Sequence, residues 1–320
     1  MLVNRINRAF AFMVFHLALL LSLQTARADE WLSPLLQEHV LVGSIFSTAS
    51  GRVVSEDELL GKLKSARFVL LGEKHDNPDH HQLEERLLTE LISKDSGKRV
   101  VFEMLDDSQQ DLLGGLSVED SLADLKQKLQ WPERGWDWES YGPLFKLVLE
   151  RGGKVVAGNV STKILKQVYQ TGISGSASDD RFQSMTVLSA QEQAEIQQQI
   201  YKSHCEMMPF EKLAPMVATQ VSKDASMAYA LSQGNSTSAI LVAGGFHASK
   251  TLGVPRHLQQ LAPAAKTLVV MLYEVEEGLS QLEDYLEETP GIADYIWFTP
   301  KATDKDYCAA FKNHKSVNKQ

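Results

Sequence analysis

The sequence has only two cysteines among its 320 residues, and it lacks several motifs that would identify a chemistry. No C-x-x-C-H segment occurs, which excludes covalent attachment of a c-type haem. No G-x-G-x-x-G segment and no P-loop occur, so nothing in the sequence supports nucleotide binding. The G-x-S-x-G pattern is present only in broken form at residues 172–176, and a hydrolase nucleophile elbow is therefore unsupported.

Basic residues are also scarce relative to acidic ones. The chain carries 32 Lys and Arg residues against 41 Asp and Glu residues, a formal net charge of −9. Proteins that bind nucleic acid neutralise phosphates with clusters of Lys and Arg, so this balance argues against generic nucleic-acid binding. The remaining composition is ordinary for a globular protein.

The first 28 residues have the pattern of a signal peptide. Arg5 and Arg8 precede an apolar run at 9–23, and Ala26-Arg27-Ala28 supplies a small-x-small cleavage site. The run is about 15 residues long, whereas a membrane-spanning helix needs about 20. Cleavage after Ala28 would leave a net charge of about −12, because it removes three arginines and no acid. We therefore expect a periplasmic or otherwise exported protein that is soluble after cleavage.

The two cysteines, Cys205 and Cys308, are candidates for a disulfide. An isolated pair in an oxidising compartment is typically bonded. The bond would tie a C-terminal tail, residues 301–320, to the middle of the chain. The alternative is two buried free thiols.

Hydrophobic patterning predicts an α/β fold with a mainly parallel sheet and helices on both faces. Continuous apolar runs are typical of strands buried on both faces, and helical patterns lie between them. We expect a single domain over residues 29–300, with a small hairpin at 40–54. A long helical insertion at about 180–235 separates the third and fourth core strands. The predicted core strands are 67–73, 99–103, 154–159, 238–245, 267–273 and 295–298.

Two of the intervening helices have clear signals. Asn77 is a plausible N-cap, and Pro78 suits the first turn of the helix that follows. A stripe of apolar residues at helical spacing predicts a second helix ahead of the third strand. Its members are Trp138, Tyr141, Leu144, Phe145 and Val148.

Polar side chains follow the predicted strands at their carboxyl ends. Glu73 and His75 close the first core strand, Glu103 the second, Asn159 the third and His247 the fourth. Ligands of open parallel sheets bind at this edge, so these residues predict a ligand or catalytic site there.

Each of these residues also has a purely structural interpretation. Glu73 or Asp76 could cap the next helix, and Glu103 could pair with Lys74. A histidine at a strand end is often only a hydrogen-bonding partner. The convergence of four strand ends favours a functional site over these separate roles.

Two chemistries fit such an edge. Two histidines and one or two glutamates could bind Zn²⁺ or a similar divalent ion and leave a position open for water. Alternatively, His and Lys cations could hold the carboxylates of a cofactor while a tyrosine oxygen or an imidazole nitrogen binds its metal.

Together, the motifs resemble the ChaN family of haem-binding, iron-regulated bacterial proteins, which is grouped with Tiki/TraB proteins and erythromycin esterases. The resemblance keeps its order from about residue 65 to 300, and no single motif decides it. The matching segments are LGEKHDNP at 71–78, FEM at 102–104, Trp138 with YGPL at 141–144, Gly158 and Asn159, His204 and Cys205 with Pro209, Gln220 with Asp224 and MA at 227–228, GGFH at 244–247, GVP at 253–255 and DYIW at 294–297.

The resemblance implies a non-covalent, b-type haem at a site completed by dimerisation. It implies two haems face to face, each with a tyrosine oxygen on its ferric iron. His and Lys side chains from the other subunit would hold the propionates. For the tyrosine we expect Tyr141 first, then Tyr201 beside His204, then Tyr169.

For the propionates the resemblance suggests His75 and Lys74, with His247 behind them. It further implies a carrier in haem or iron uptake, with an outer-membrane haem receptor or transporter as a possible partner. The family is often lipid-anchored, but this chain has no cysteine before Cys205.

The alternative function draws on the hydrolytic relatives. A metal-dependent hydrolase would use Glu73 or Glu103 as general base, with His75 and His247 as metal ligands or proton shuttles.

Overall fold

The computed structural model describes residues 30–94, 96–132, 134–176, 179–234, 238–288 and 291–309. The predicted signal peptide, residues 1–28, lies outside the described residues. From Trp31 onward the chain forms one compact unit.

An eight-stranded sheet organises this unit. Its strand order is β2-β1-β8-β7-β3-β6-β4-β5, so β3 lies near the centre. Strands β3 to β8 pair in parallel, as the sequence predicts, and the β1–β2 hairpin adds an antiparallel edge next to β8. The strands are β1 (Ile45–Ser47), β2 (Arg52–Val54), β3 (Phe68–Glu73), β4 (Arg99–Asp106), β5 (Lys154–Asn159), β6 (Ala239–Gly244), β7 (Thr267–Glu274) and β8 (Tyr295–Thr299).

Helices cover both faces of the sheet. Alternate residues of β3 belong to different cores, because Val69 and Leu71 pack on one face while Phe68 and Leu70 pack on the other. The α-helices are α1 (Glu56–Lys64), α2 (Pro78–Leu91), α3 (Leu122–Lys128), α4 (Trp138–Glu150), α5 (Thr162–Ser176), α6 (Ala190–Ser203), α7 (Ala214–Ser232), α8 (Gly245–Ala248), α9 (Val254–Leu261) and α10 (Leu282–Glu288). Short 3₁₀ segments lie at Asp107–Gly115, Asp180–Val187 and Phe210–Lys212.

The chain between β5 and β6 is helical in its described part. Helices α5, α6 and α7 lie there, and they share a third hydrophobic cluster that includes Val168, Ile196 and Val221. Helix α7 also contacts β4, β5 and β6. This helical layer therefore lies directly against the strands that carry the predicted site.

The predicted capping of α2 is confirmed. The Asn77 side chain accepts hydrogen bonds from the backbone N–H groups of Asp79 and His80, and Pro78 occupies the first turn. Asn77 caps the helix instead of Glu73 or Asp76, which leaves Glu73 for other contacts.

The predicted disulfide is present between Cys205 and Cys308, with the two Cα atoms 5.3 Å apart. It connects the turn after α6 to the last described segment of the chain. None of the helices in the described residues has both the length and the apolar character to cross a membrane.

Candidate functional site

The carboxyl ends of β3, β4 and β6 meet at one edge of the sheet and bring acidic and imidazole groups together. Glu73 ends β3, Glu103 lies in β4, and His247 lies in α8 immediately after β6. Parallel pairing places Glu73 of β3 beside Gly244 of β6, and β4 pairs with β6 as far as the residue before Glu103. The structure thus brings together Glu73, Glu103 and His247. In contrast, the side-chain amide of Asn159, at the end of β5, donates to the backbone carbonyl of Glu103 and does not line the cleft that opens above these three residues.

One group of three, which we name the closed cluster, consists of Glu103, His247 and Asp224. His247 Nδ1 lies 2.6 Å from Asp224 Oδ1, and its Nε2 lies 3.2 Å from Glu103 Oε1. The other Glu103 oxygen accepts the backbone N–H of Gly244 at 2.8 Å. All three side chains are buried. Each nitrogen of His247 therefore has its own carboxylate.

Electrostatics hold the closed cluster in its charged form. Burial opposes charge on His247, but the two carboxylates outweigh it and raise its pKa to about 10. Burial likewise opposes charge on Glu103, but His247 lowers its pKa to about 2. The pKa of Asp224 is raised by burial. His247 is consequently a cation that donates from both nitrogens.

A second group of three, the open cluster, consists of Glu73, His81 and Glu84. His81 Nδ1 lies 3.1 Å from Glu73 Oε2 and 3.4 Å from Glu84 Oε2. His81 Nε2 lies 3.1 Å from the backbone carbonyl of His75, to which it donates. The two carboxylates are buried and share a single imidazole nitrogen.

The acids of the open cluster have opposite pKa shifts. Burial raises the pKa of Glu73, but its hydrogen bond with His75 and the nearby charge of His81 outweigh this and lower it to about 2. Burial and the nearby charge of Glu73 raise the pKa of Glu84 to about 8. Burial lowers the pKa of His81, but its bonds to both acids raise it to about 10. One carboxylate of the pair is thus strongly favoured as the anion.

His75 and Tyr141 connect the open cluster to the surface of the edge. The Tyr141 hydroxyl donates to Glu73 Oε1 at 2.8 Å, and His75 Nδ1 lies 2.9 Å from the same oxygen. His75 Nε2 is 3.9 Å from Glu103 Oε2, so its ring bridges the two clusters. A Cβ atom at Gly244 would lie 2.7 Å from this Nε2, so only glycine allows the ring to pack there.

Lys74 lies on the rim beside His75. Its ammonium is 2.8 Å from Glu274 Oε2 and 3.5 Å from Asp76 Oδ1. It therefore pairs with the end of β7 and with its own loop, and the suggested pairing of Glu103 with Lys74 is wrong. Its backbone N–H donates to His80 Nδ1 at 2.8 Å, which fixes the turn before α2.

A cleft of about 640 Å³ opens above these groups. Its floor includes Glu73, His75, Glu103 and His247, and Lys74 and Glu274 lie on its rim. Its walls are largely apolar, and the Phe246 side chain is 59% exposed there. The apolar lining residues are Phe246, Met271, Leu272, Tyr273 and Ile292.

The tyrosines considered as iron ligands lie in different environments. Tyr141 is 1% exposed and engaged with Glu73, and burial with the charge of Glu73 raises its pKa. Tyr201 packs edge-on against Phe210 at the end of α6. Tyr169 is 47% exposed on α5. Ligation by Tyr141 remains a prediction, and the phenol would have to leave Glu73 to reach an iron atom.

His204 lies just beyond the end of α6, next to the cleft. Its Nδ1 donates to the carbonyl of Ile200 at 2.8 Å. It lines a small pocket of about 100 Å³ together with Phe246 and Gln220, both of which also line the cleft. The small pocket that His204 lines therefore adjoins the cleft.

Sequence analysis assigned no role to three residues of the two clusters. His81 and Glu84 lie on α2, where Glu84 interrupts the apolar stripe of Leu83, Leu87 and Leu88. A charged residue within an apolar stripe is the signal that could have identified it. Asp224 was matched only as part of a family segment, and its position on the buried face of α7 shows its partnership with His247.

Comparisons with known proteins bear on the fold and the family of the chain. A search of curated proteins finds no match. A solved structure described as cofacial heme binding to ChaN of Campylobacter jejuni is 23% identical with a TM-score of 0.62, covering 79% of this chain and 95% of that one. A mutant of the erythromycin esterase EreC in its open conformation is 12% identical with a TM-score of 0.45, covering 82% of this chain and 99% of that one. The ChaN structure has the same fold.

A family model gives the more specific result. The model described as "Haem-binding uptake, Tiki superfamily, ChaN" matches residues 59–258, which is more than half of the chain. The matched range begins in α1 and ends in α9, and it contains every residue of the closed and open clusters. The chain therefore belongs to the ChaN family of haem-binding uptake proteins in the Tiki superfamily.

Proposed function

We propose that this protein is an exported haem carrier that takes part in haem or iron uptake and binds ferric haem non-covalently in the cleft above the two clusters. The observation that carries the proposal is the combination of apolar walls and a rim of imidazole and ammonium groups. Haem has the matching chemistry, because it is a flat apolar macrocycle with two carboxylates at one edge.

The cleft residues fit this group. Phe246, Met271 and Ile292 offer apolar contacts for a macrocycle. His75 and Lys74 each have a side chain that is 38% exposed at the rim, where propionates would be held. Lys74 would exchange its bond to Glu274 for a propionate. His247 lies deeper and is already paired with two acids, so we place it behind the propionate contacts.

A tyrosine from a second copy of the chain would complete the site. An iron ligand that reaches into a partner's cleft must lie on the surface, and Tyr169 is the exposed member of the three candidates. Tyrosinate is a hard anionic ligand suited to ferric iron. A haem-linked homodimer with Tyr169 on the iron is therefore our proposal, and Tyr141 is tested beside it.

The disulfide supports export. The chain has a disulfide between Cys205 and Cys308. Disulfides persist in oxidising compartments and are rare in the reducing cytosol. An outer-membrane haem receptor or transporter would be the partner of such a carrier.

Haem titration tests the proposal. We expect saturable binding near one haem per chain, a high-spin ferric tyrosinate-like spectrum and a haem-driven shift from monomer to dimer in sedimentation. Tyr169→Phe should lose the tyrosinate spectrum, whereas Tyr141→Phe should keep it because that phenol is buried. A tyrosinate spectrum lost only in Tyr141→Phe would reverse the assignment, and absence of saturable binding would reject the carrier function.

Hydrolysis is the second candidate, favoured by the position of His75, Glu103 and His247 together on the cleft floor. Glu73 or Glu103 would serve as general base, and the low pKa of each keeps it ionised near neutral pH. A Glu103→Gln variant that abolishes ester hydrolysis while keeping haem binding would favour this function over the carrier.

A further inference from the structure

The open cluster lies beneath the cleft floor and places two carboxyl groups against a single imidazole nitrogen. One ligand atom from each of Glu73, His81 and Glu84 lies within 4.8 Å of the others. Glu73 and Glu84 are buried, and the side chain of His81 is only 10% exposed. Two carboxylates therefore face one nitrogen in a place with little access to water.

In the part of the chain that the structure describes, the hydrogen bonds leave two of the four carboxyl oxygens without a partner. His81 Nε2 donates to the carbonyl of His75, so Nδ1 is the nitrogen that faces both acids. Among the described residues, Glu73 Oε2 and Glu84 Oε1 are buried oxygens without a hydrogen-bond donor. The contact between Glu73 Oε2 and His81 Nδ1 is short but not aligned along the ring N–H. Buried acceptors without donors are uncommon and costly.

We propose that Glu73, His81 and Glu84 form a binding site for a divalent transition-metal ion of the Zn²⁺ class, beneath the floor of the haem cleft, with which it shares Glu73. A tetrahedral ion bound at about 2.0–2.2 Å from its ligands holds them about 3.3–3.6 Å apart. The observed separations from His81 Nδ1, 3.1 and 3.4 Å, are close to this spacing. An ion there would give Glu73 Oε2 and the Glu84 carboxylate a partner that the protein does not supply.

The surroundings orient these ligands in the way that metal sites require. The His75 carbonyl accepts from Nε2 of His81 and so leaves Nδ1 to bind the ion. Tyr141 and His75 hold the outer oxygen of Glu73, which turns Oε2 toward His81. Partners of this kind around metal ligands fix their tautomer and direction. Because all three ligands are buried, we assign the ion a structural role.

The closed cluster provides the contrast within the same molecule. There, Asp224 and Glu103 each meet a different nitrogen of His247, and the second oxygen of Glu103 accepts a backbone N–H. That arrangement needs no cation, and we assign none to it.

The test uses purified protein with its disulfide intact, stripped with a chelator and titrated with Zn²⁺ or Mn²⁺ in the absence of haem. We expect one Zn²⁺ per chain by calorimetry and by metal analysis, with a melting temperature that rises with the Zn²⁺ concentration. Glu84→Gln keeps the shape of the side chain and removes its charge, and it should weaken binding by at least about tenfold.

A matched control lies on the same helix. Glu85 is exposed on α2, so Glu85→Gln should bind Zn²⁺ as tightly as the parent protein. If the parent binds no stoichiometric ion, or if Glu84→Gln binds as well as Glu85→Gln, the proposal is overturned. Both outcomes are independent of haem titration, so failure of the carrier function would leave this result unaffected.

Discussion

The closed and open clusters are built from the same residue types, an acid, a histidine and a second acid, yet they differ in how their hydrogen bonds close. In the closed cluster each nitrogen of His247 meets its own carboxylate. In the open cluster, Nε2 of His81 donates to a backbone carbonyl, so Nδ1 alone faces both acids. The residue types therefore do not distinguish a cluster whose ion pairs are complete from one that could bind a metal ion. The direction of each hydrogen-bond donor does distinguish them.

The largest expected effect comes from breaking the closed cluster. His247→Ala would leave Glu103 and Asp224 buried without a cation, and loss of one partner from a buried ion pair typically costs about 3–5 kcal/mol. We expect urea unfolding to show a loss of this size. Glu84→Gln in the open cluster replaces a carboxyl group whose pKa, raised to about 8, leaves it largely protonated near neutral pH, so it should change the unfolding free energy of chelator-treated protein by far less. Equal losses in the two variants would contradict the distinction.

The same interaction should titrate with pH. His247 has a raised pKa of about 10, so its contribution to stability is fully present below its unfolded pKa of about 6.5 and is lost as the pH rises toward 10. Glu103 has a lowered pKa of about 2, so its contribution is present above about 4.5 and is lost as the pH falls toward 2.

Unfolding free energies measured at about pH 6.5 and about pH 9, on either side of the range over which the His247 contribution declines, test this sign. The parent protein should be less stable at the higher pH, and His247→Gln should show a smaller difference between the two, the remainder coming from His81, whose pKa is also raised to about 10. A pH dependence that is unchanged in the variant would show that His247 does not contribute to it.

The smallest effect concerns the link between the open cluster and the cleft. Tyr141→Phe removes one buried hydrogen bond to Glu73, and a bond to a charged group contributes about 1.5–3 kcal/mol at most. The ring keeps its contacts with His81 and Trp136, so the fold should persist. We expect a modest fall in melting temperature and a weaker affinity for Zn²⁺. Unchanged affinity would remove Tyr141 from the support of the open cluster.

The sequence was sufficient for the sheet and for one half of the site. Continuous apolar runs locate β3 to β8, because strands buried on both faces need apolar residues throughout. Parallel pairing then predicts that Glu73, Glu103 and His247 meet. Asn77 and Pro78 indicate the start of α2 through their capping chemistry.

The other half depends on which face of a helix is buried. Glu84 and Asp224 lie on helices, and a charged residue there usually faces water. Only packing against the sheet turns these two inward. The direction of the Tyr141 side chain likewise depends on packing. The apolar stripe of α4 predicts that it is buried, but not that its hydroxyl reaches Glu73.

The disulfide has a consequence for how the protein matures. Cys308 follows every strand of the sheet, so the bond can form only after nearly all of the chain has been synthesised and has met an oxidant. The segment it closes contains β6, β7 and β8, and Tyr307 beside Cys308 donates to Asp76 in the loop after β3. Docking of the last strands holds these two thiols within bonding distance, so formation of the bond is favoured once the sheet has assembled.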